Sequence, residues 1–148
     1  MTAPFIMLVD DEVPFVETIS KRLGKRNIKT VSAFSGEEGL ETLKTNAELD
    51  VIVLDVKMPG MNGLETLAEI KKASPLTEVI MLTGHGTMES AIDGMKLGAF
   101  DYLMKPCDIE DLVSKIKAAA QKKNEHVKKI EEAKKQKTLS KYGPFYYA

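Results

Sequence analysis

Cysteine is almost missing from these 148 residues: Cys107 is the only one. A lone thiol cannot make an internal disulfide, which fits a reducing, cytoplasmic setting. Histidine is nearly as scarce, with only His85 and His126, so no His–Cys cluster exists to bind a transition metal. No run of 18 apolar residues occurs, so no membrane span is expected. Met1-Thr2-Ala3-Pro4-Phe5 lacks the basic stretch and long apolar run of a secretion signal. Positive charge is lacking in the first 120 residues, which carry 13 basic and 19 acidic side chains. That body is not built to bind nucleic acid, since phosphate contacts need clustered positive charge. Basic residues gather instead in 121–148, with eight Lys against three Glu. A solvated charged helix explains this run more simply than a nucleic-acid arm.

What remains is ample for a core. Apolar residues make up 43% of the chain, enough for one domain with an appendage. Phe5–Val9 and Val51–Leu54 are apolar runs that lead directly into acids, Asp10-Asp11-Glu12 and Asp55. Runs of this kind read as strands buried on both faces, as in a parallel sheet. Lys29 to Phe34, Glu78 to Leu82 and Ala99 to Met104 are further strand candidates. Between them, Pro14 suits a first helical turn, and Phe15, Val16, Ile19 and Leu23 mark a helical face with Gly24 as its cap. Ser35 and Glu38 have capping-box spacing ahead of Leu40 and Leu43. Leu64, Leu67 and Ile70 mark another helix, and Ala91, Ile92 and Met95 a fourth. That fourth helix contains Gly94, which costs about 1 kcal/mol against Ala and should make it the least stable. Asp108 can cap the last helix. In it, Ile109, Leu112, Ile116 and Ala119 keep a seven-residue pattern that continues through Lys123, His126, Ile130 and Ala133. Two polar residues in this seam permit only a weak coiled coil. Tyr142 to Ala148 holds four of the nine aromatics, a composition that suits docking on a partner, docking on a second copy, or an added remnant. Alternation of five strands and five helices implies a parallel α/β sheet.

In such a sheet, ligands bind beyond the carboxyl ends of the strands. Asp10, Asp11, Asp55, Thr83 and Lys105 then share one edge. Three carboxylates so placed repel, and at least one pKa should rise unless a cation lies among them. An all-oxygen acidic cluster suits Mg²⁺. A carboxylate beside such an ion can attack a phosphoryl group to give an aspartyl phosphate. A lysine ammonium and a threonine hydroxyl would then serve the phosphoryl oxygens.

Four motifs carry a family resemblance: Leu8-Val9-Asp10-Asp11-Glu12, Leu54 through Gly63, Leu82-Thr83-Gly84, and Gly98 through Pro106. In this order and spacing, residues 5–120 resemble the receiver domain of bacterial two-component response regulators. The wording from Thr83 to Pro106 is similar to receivers of σ54-dependent activators. The resemblance implies a flavodoxin-like (βα)5 fold with sheet order 2-1-3-4-5, in a receiver at 1–120 followed by a basic helical extension at 121–148. It implies Asp55 as phosphoacceptor from a sensor histidine kinase, with Asp10, Asp11, Asp55 and the backbone carbonyl of Lys57 around Mg²⁺. Lys105 is expected to contact Asp55 and the phosphoryl group, and its bond to Pro106 to be cis. Thr83 and Tyr102 resemble the switch pair, in which the hydroxyl moves to the phosphoryl oxygen and the ring turns inward. Partner exchange, including homodimerisation, is expected at the face of the fourth helix, fifth strand and fifth helix, or along the C-terminal helix.

Gly84 stands where the family often has Ala and is expected to widen access to the acyl phosphate. His85 is expected to modulate its lifetime without carrying transfer. Two other readings compete with the switch. A phosphatase of the haloacid dehalogenase kind also uses an Asp nucleophile with Mg²⁺, but it wants an acid two residues later, where Lys57 stands. A receiver-like domain that is never phosphorylated usually lacks part of the acidic set, and here none is missing. Cys107 reads as an apolar filler at a helix start. The 28 residues after Ala120 are too few for an ATPase or DNA-binding domain. The chain is therefore expected to act alone or as the receiver of a longer regulator.

Overall fold

Unbroken apolar runs become central strands when both faces of a sheet are covered by helices. A computed structural model describes residues 3–142, and side chains as far as Thr138. Five strands, β1 (Phe5–Val9), β2 (Lys29–Ala33), β3 (Val51–Leu54), β4 (Glu78–Thr83) and β5 (Asp101–Met104), alternate with five helices. These are α1 (Val13–Gly24), α2 (Gly36–Lys44), α3 (Gly63–Ala73), α4 (Met88–Lys96) and α5 (Ile109–Tyr142). The strands pair in parallel in the order β2-β1-β3-β4-β5. This is the doubly wound, flavodoxin-like sheet.

Side chains alternate across each strand, so one run feeds two cores. Ile6, Leu8, Val51, Val53, Ile80 and Leu82 pack against α1 and α5, through Val16, Leu23, Leu112 and Ile116. Met7, Val9, Ile52, Leu54, Val79 and Met81 pack on the opposite side with Leu43, Leu67 and Ile70. Each such side chain contributes roughly 1.5–3 kcal/mol on full burial. Register aligns Val9 with Leu54, Leu54 with Met81, and Thr83 with Met104. The carboxyl ends of the strands therefore share one edge.

Several local details differ from the sequence reading. Gly24 does not supply the left-handed turn after α1. Asn27 does, at φ 62°, with its N–H bonded to Gly24 and that of Ile28 to Leu23. An asparagine tolerates this region better than other residues with a Cβ. Strand β5 starts at Asp101, not Ala99. Gly98 turns left-handed at φ 102°, and the Ala99 N–H goes back to the Gly94 carbonyl at 3.0 Å. Ser35 caps α2 through the Glu38 N–H, but Glu38 reaches the Phe34 N–H, so the reciprocal half of the box is displaced by one residue. On α4, Ile92 and Met95 face solvent, and the buried position is Gly94.

Helix α5 leaves the sheet under electrostatic control. Leu112, Ile116 and Ala119 are fully buried. Lys123 does not extend an apolar seam; it ion-pairs with Asp50 at 3.1 Å, and Lys122 reaches Glu78 at 3.4 Å. Beyond that point the described residues are mostly exposed, His126 and Ile130 among them. The aromatic segment, apart from the backbone of Tyr142, lies outside the described residues. No helix among the described residues is long and apolar enough to cross a membrane.

Candidate functional site

Backbone pairing places the acids. Asp10 donates its N–H to Ala33 at 3.1 Å, and Asp55 donates its own to Val9 at 3.0 Å. Both residues thus continue the ladder one step past the strands. Their side chains are buried, whereas Asp11 is exposed. One oxygen from each of Asp10, Asp11 and Asp55 lies within 4.8 Å of the other two. Such an all-oxygen donor set fits a hard divalent cation.

Lys105 enters this group from β5. Its ammonium lies 2.6 Å from Asp10, 3.0 Å from Glu12 and 3.8 Å from Asp55. It also sits 4.1 Å from the centre of the Phe15 ring, a cation–π contact. Asp55 is therefore the most distant of three carboxylates on this lysine, with Asp10 and Glu12 nearer. Burial, ahead of the Lys105 and Glu12 N–H bonds that oppose it, holds the Asp10 carboxyl above its ordinary value; the charge of Asp55 adds to the rise. The upward shift expected from carboxylate repulsion thus has desolvation as its main cause. Lys105 moves up as well: burial pulls it down, but its bonds to Asp10 and Glu12 outweigh that. The Lys105–Pro106 peptide bond is cis.

The loop after Asp55 is shaped by contacts the chain must make. Asp55 Oδ1 accepts the Val56 N–H at 2.8 Å. Gly60 adopts φ 74°, and the next N–H, of Met61, donates to Glu37 at 3.0 Å. Asn62 and Glu65 form a full capping box that starts α3. Gly63 follows, and a Cβ there would run into the carbonyl oxygen of Asp55. This glycine lets α3 approach the backbone of Asp55 directly. Lys57 is exposed and lines a cleft of about 420 Å³ with Asp11, Glu12, Met58, Pro59 and His85.

Thr83 is fully buried at the end of β4, where its Oγ1 accepts the His85 N–H at 3.1 Å. Tyr102 is not gathered into the acid group. Its half-buried ring packs with the Met7–Met81 core, and its hydroxyl is 2.8 Å from Ser90 Oγ on α4. Burial, then the charges of Asp111 and Asp108, push the Cys107 thiol up, so it stays protonated at neutral pH.

Three neighbours of the site escaped the sequence reading. Glu12 belongs to the Leu8–Glu12 motif but has no site role in the sequence reading, Phe15 is there only a helix-face residue, and Ser90 carries no signal. Only the run of acids at 10–12 carried a signal in sequence. The ion pairs of Lys105 with Asp10 and Glu12 span more than 90 residues of chain, and local pattern does not encode them.

Fold and site together define a doubly wound α/β domain whose polar chemistry collects in an acidic, lysine-closed cleft at the strand ends. Residues 6–117 match the response regulator receiver domain, and the chain belongs to that family. The DNA-binding transcriptional regulator NtrC of Klebsiella pneumoniae is 36% identical over 112 residues, which cover 76% of this chain and 24% of that protein. The transcriptional regulatory protein ZraR of Escherichia coli (strain K12) is 31% identical over 138 residues, 93% of this chain and 30% of that one. The chain thus spans about a quarter of the length of the curated relatives it matches. Among solved structures, a response regulator receiver domain protein from Clostridium thermocellum aligns with a TM-score of 0.78 at 39% identity, covering 82% of this chain and 97% of that one.

Proposed function

We propose that this receiver is a phosphorylation switch with Asp55 as acceptor. The observation that carries the reading is the buried Asp55 carboxylate at the end of β3, with Asp10, Asp11 and Lys105 around it. A carboxylate oxygen of Asp55 forms the new bond to phosphorus. The bond from phosphorus to the donor breaks, and its electron pair leaves with the donor: a histidine nitrogen in a sensor kinase, or the acetate oxygen of acetyl phosphate. Asp10, Asp11, Asp55 and the backbone carbonyl of Lys57 are the groups that would hold Mg²⁺. When bound, that ion neutralises charge on the phosphoryl oxygens. Lys105 offers a second positive group from the β5 side, and the Thr83 hydroxyl a donor from β4.

Thr83 and Tyr102 serve as the switch pair. Their movement alters the face of α4, β5 and α5, where Met88, Ile92, Met95 and Met104 are exposed. A second copy is the partner we assign to this face or to the helical extension. Residues 1–120 act as the receiver and 121–148 as linker or partner-binding extension. The setting is the cytoplasm, with no direct nucleic-acid contact by the receiver. A phosphatase reading is disfavoured by Lys57, which offers an ammonium where turnover needs an acid. Incubation with Mg²⁺ and acetyl phosphate tests the proposal. A phosphoryl mass gain is expected in wild type and not in Asp55→Asn; no gain in either would contradict it.

A further inference from the structure

The ring of Tyr102 lies against Gly86, in the loop before α4. A Cβ on Gly86 would stand 2.8 Å from the Tyr102 hydroxyl oxygen and 3.0 Å from Cε1, and would run into Met104 Sδ. The loop before α4 therefore closes on the ring, and a side chain at Gly86 would require Met104 or Tyr102 to shift. One turn into α4, Ser90 Oγ is 2.8 Å from the same hydroxyl. Ser90 is also the N3 residue of the α4 capping box: its N–H donates to Thr87 Oγ1, and its Oγ accepts the Thr87 N–H, both at 3.0 Å. A serine hydroxyl has one proton and two lone pairs. Ser90 Oγ also donates to the Thr87 carbonyl at 3.0 Å and accepts from Thr87 Oγ1 at 3.1 Å, so its one proton and two lone pairs are shared among four neighbouring groups, the Tyr102 hydroxyl among them.

We infer that Ser90 is a positioning residue that holds Tyr102 in its present place and ties the tyrosine to the N-terminal cap of α4. This inference rests on the reading of Thr83 and Tyr102 as the switch pair. A continuous set of contacts links them. Thr83 Oγ1 accepts the His85 N–H, the next residue is Gly86 on the Tyr102 ring, and Tyr102 bonds Ser90. If the Thr83 hydroxyl turns to a phosphoryl oxygen, the His85 N–H loses its acceptor. The loop on the ring is then free to shift, and departure of the Tyr102 hydroxyl removes one partner from the α4 cap. A single neutral hydrogen bond biases such an equilibrium by about two- to tenfold.

The test uses the full chain labelled with 3-fluorotyrosine, the Tyr102 resonance being assigned by its loss in Tyr102→Phe. Spectra with Mg²⁺, before and after acetyl phosphate, are compared for wild type, Ser90→Ala and Ser90→Thr. Phosphorylation rates are measured for the Ser90→Ala and Tyr102→Phe single variants and their double variant. Ser90→Ala is expected to move the unphosphorylated Tyr102 signal toward its phosphorylated position and to change the rate about two- to tenfold. Ser90→Thr, which keeps the hydroxyl, restores both. In the Tyr102→Phe background the Ser90→Ala effect on rate should vanish. If the rate effect persists there, Ser90 acts only through the α4 cap and the inference is overturned. A Tyr102 signal unmoved by Ser90→Ala but moved by acetyl phosphate also overturns it, while the switch reading stands. A signal that stays put in protein shown by mass to be phosphorylated overturns both.

Discussion

Lys105 and Asp10 hold each other across 95 positions of chain, with Nζ donating to Oδ2 at 2.6 Å. The bond joins the end of β5 to the end of β1 and crosses over β3 and β4, so it closes the acidic edge. Lys105 neutralises part of a carboxylate group that burial would otherwise disfavour. Replacing it with methionine keeps the stem over Phe15 and removes the charge. We expect Lys105→Met to lose about 3 kcal/mol without divalent cation, the low end for breaking a buried pair. Millimolar Mg²⁺ should return more stability to the variant than to wild type, because ligand binding to the folded state adds to its stability. Urea unfolding with and without Mg²⁺ measures both effects.

Two glycines near the site should respond in opposite ways to the same change. In Gly63→Ala, the new methyl meets the Asp55 carbonyl and cannot be absorbed by a flexible side chain. A loss of about 1–3 kcal/mol and impaired phosphorylation are expected, as for other overpacked positions. At Gly94, a methyl would meet Met81 at 3.7 Å and Leu64 and Tyr102 at 3.8 Å, which is ordinary contact. Gly94→Ala should therefore stabilise α4 by about 1 kcal/mol through helix propensity. Denaturation midpoints and amide exchange in α4 check the contrast.

Asp101 gives a pH dependence of known sign. Burial alone would raise its carboxyl, but the Lys115 hydrogen bond, the Tyr102 N–H and the Lys115 charge outweigh it, and the value falls below the ordinary 3.8. A depressed acid contributes stability above its unfolded value and loses it as pH falls through the folded one. Asp101→Asn should therefore be less stable than wild type at neutral pH. The difference should shrink below about pH 4. Midpoints of urea unfolding across that range are the measurement.

Much of this was legible along the chain. Asp10 and Asp55 stood out because apolar runs end at them, and the ladder does carry both to one edge. The strand order came with the family resemblance, not from any single segment. What local pattern hid were terminations and long-range pairs. Asn27 turns left-handed three residues after the glycine that was expected to act, because the terminating hydrogen bonds set the position. Gly98 delays β5 for the same reason. Ile92 and Met95 carry helical spacing, yet their face has no covering partner among the described residues, and periodicity cannot tell a core face from an exposed apolar one. Lys123 fell in the heptad register, but Asp50 claims its ammonium. Glu12 on Lys105 and Ser90 on Tyr102 are meetings of distant segments, visible only once the sheet is assembled.

His85 is exposed at the cleft it shares with Asp11 and Lys57. We expect it to set the lifetime of the aspartyl phosphate, by controlling the approach of water from that side, without carrying transfer. His85→Ala should change the rate of dephosphorylation while the extent of phosphorylation by acetyl phosphate is unaffected. Equal decay rates in variant and wild type would contradict this role.

The central claim is that Asp55 itself receives the phosphoryl group. Borohydride reduces an aspartyl phosphate to homoserine and so marks the acceptor covalently. Wild-type protein treated with Mg²⁺ and acetyl phosphate, reduced in this way and mapped by peptide mass spectrometry, should carry homoserine at position 55 alone. Homoserine at position 10 or 11, or none in protein that has gained phosphoryl mass, would contradict the claim.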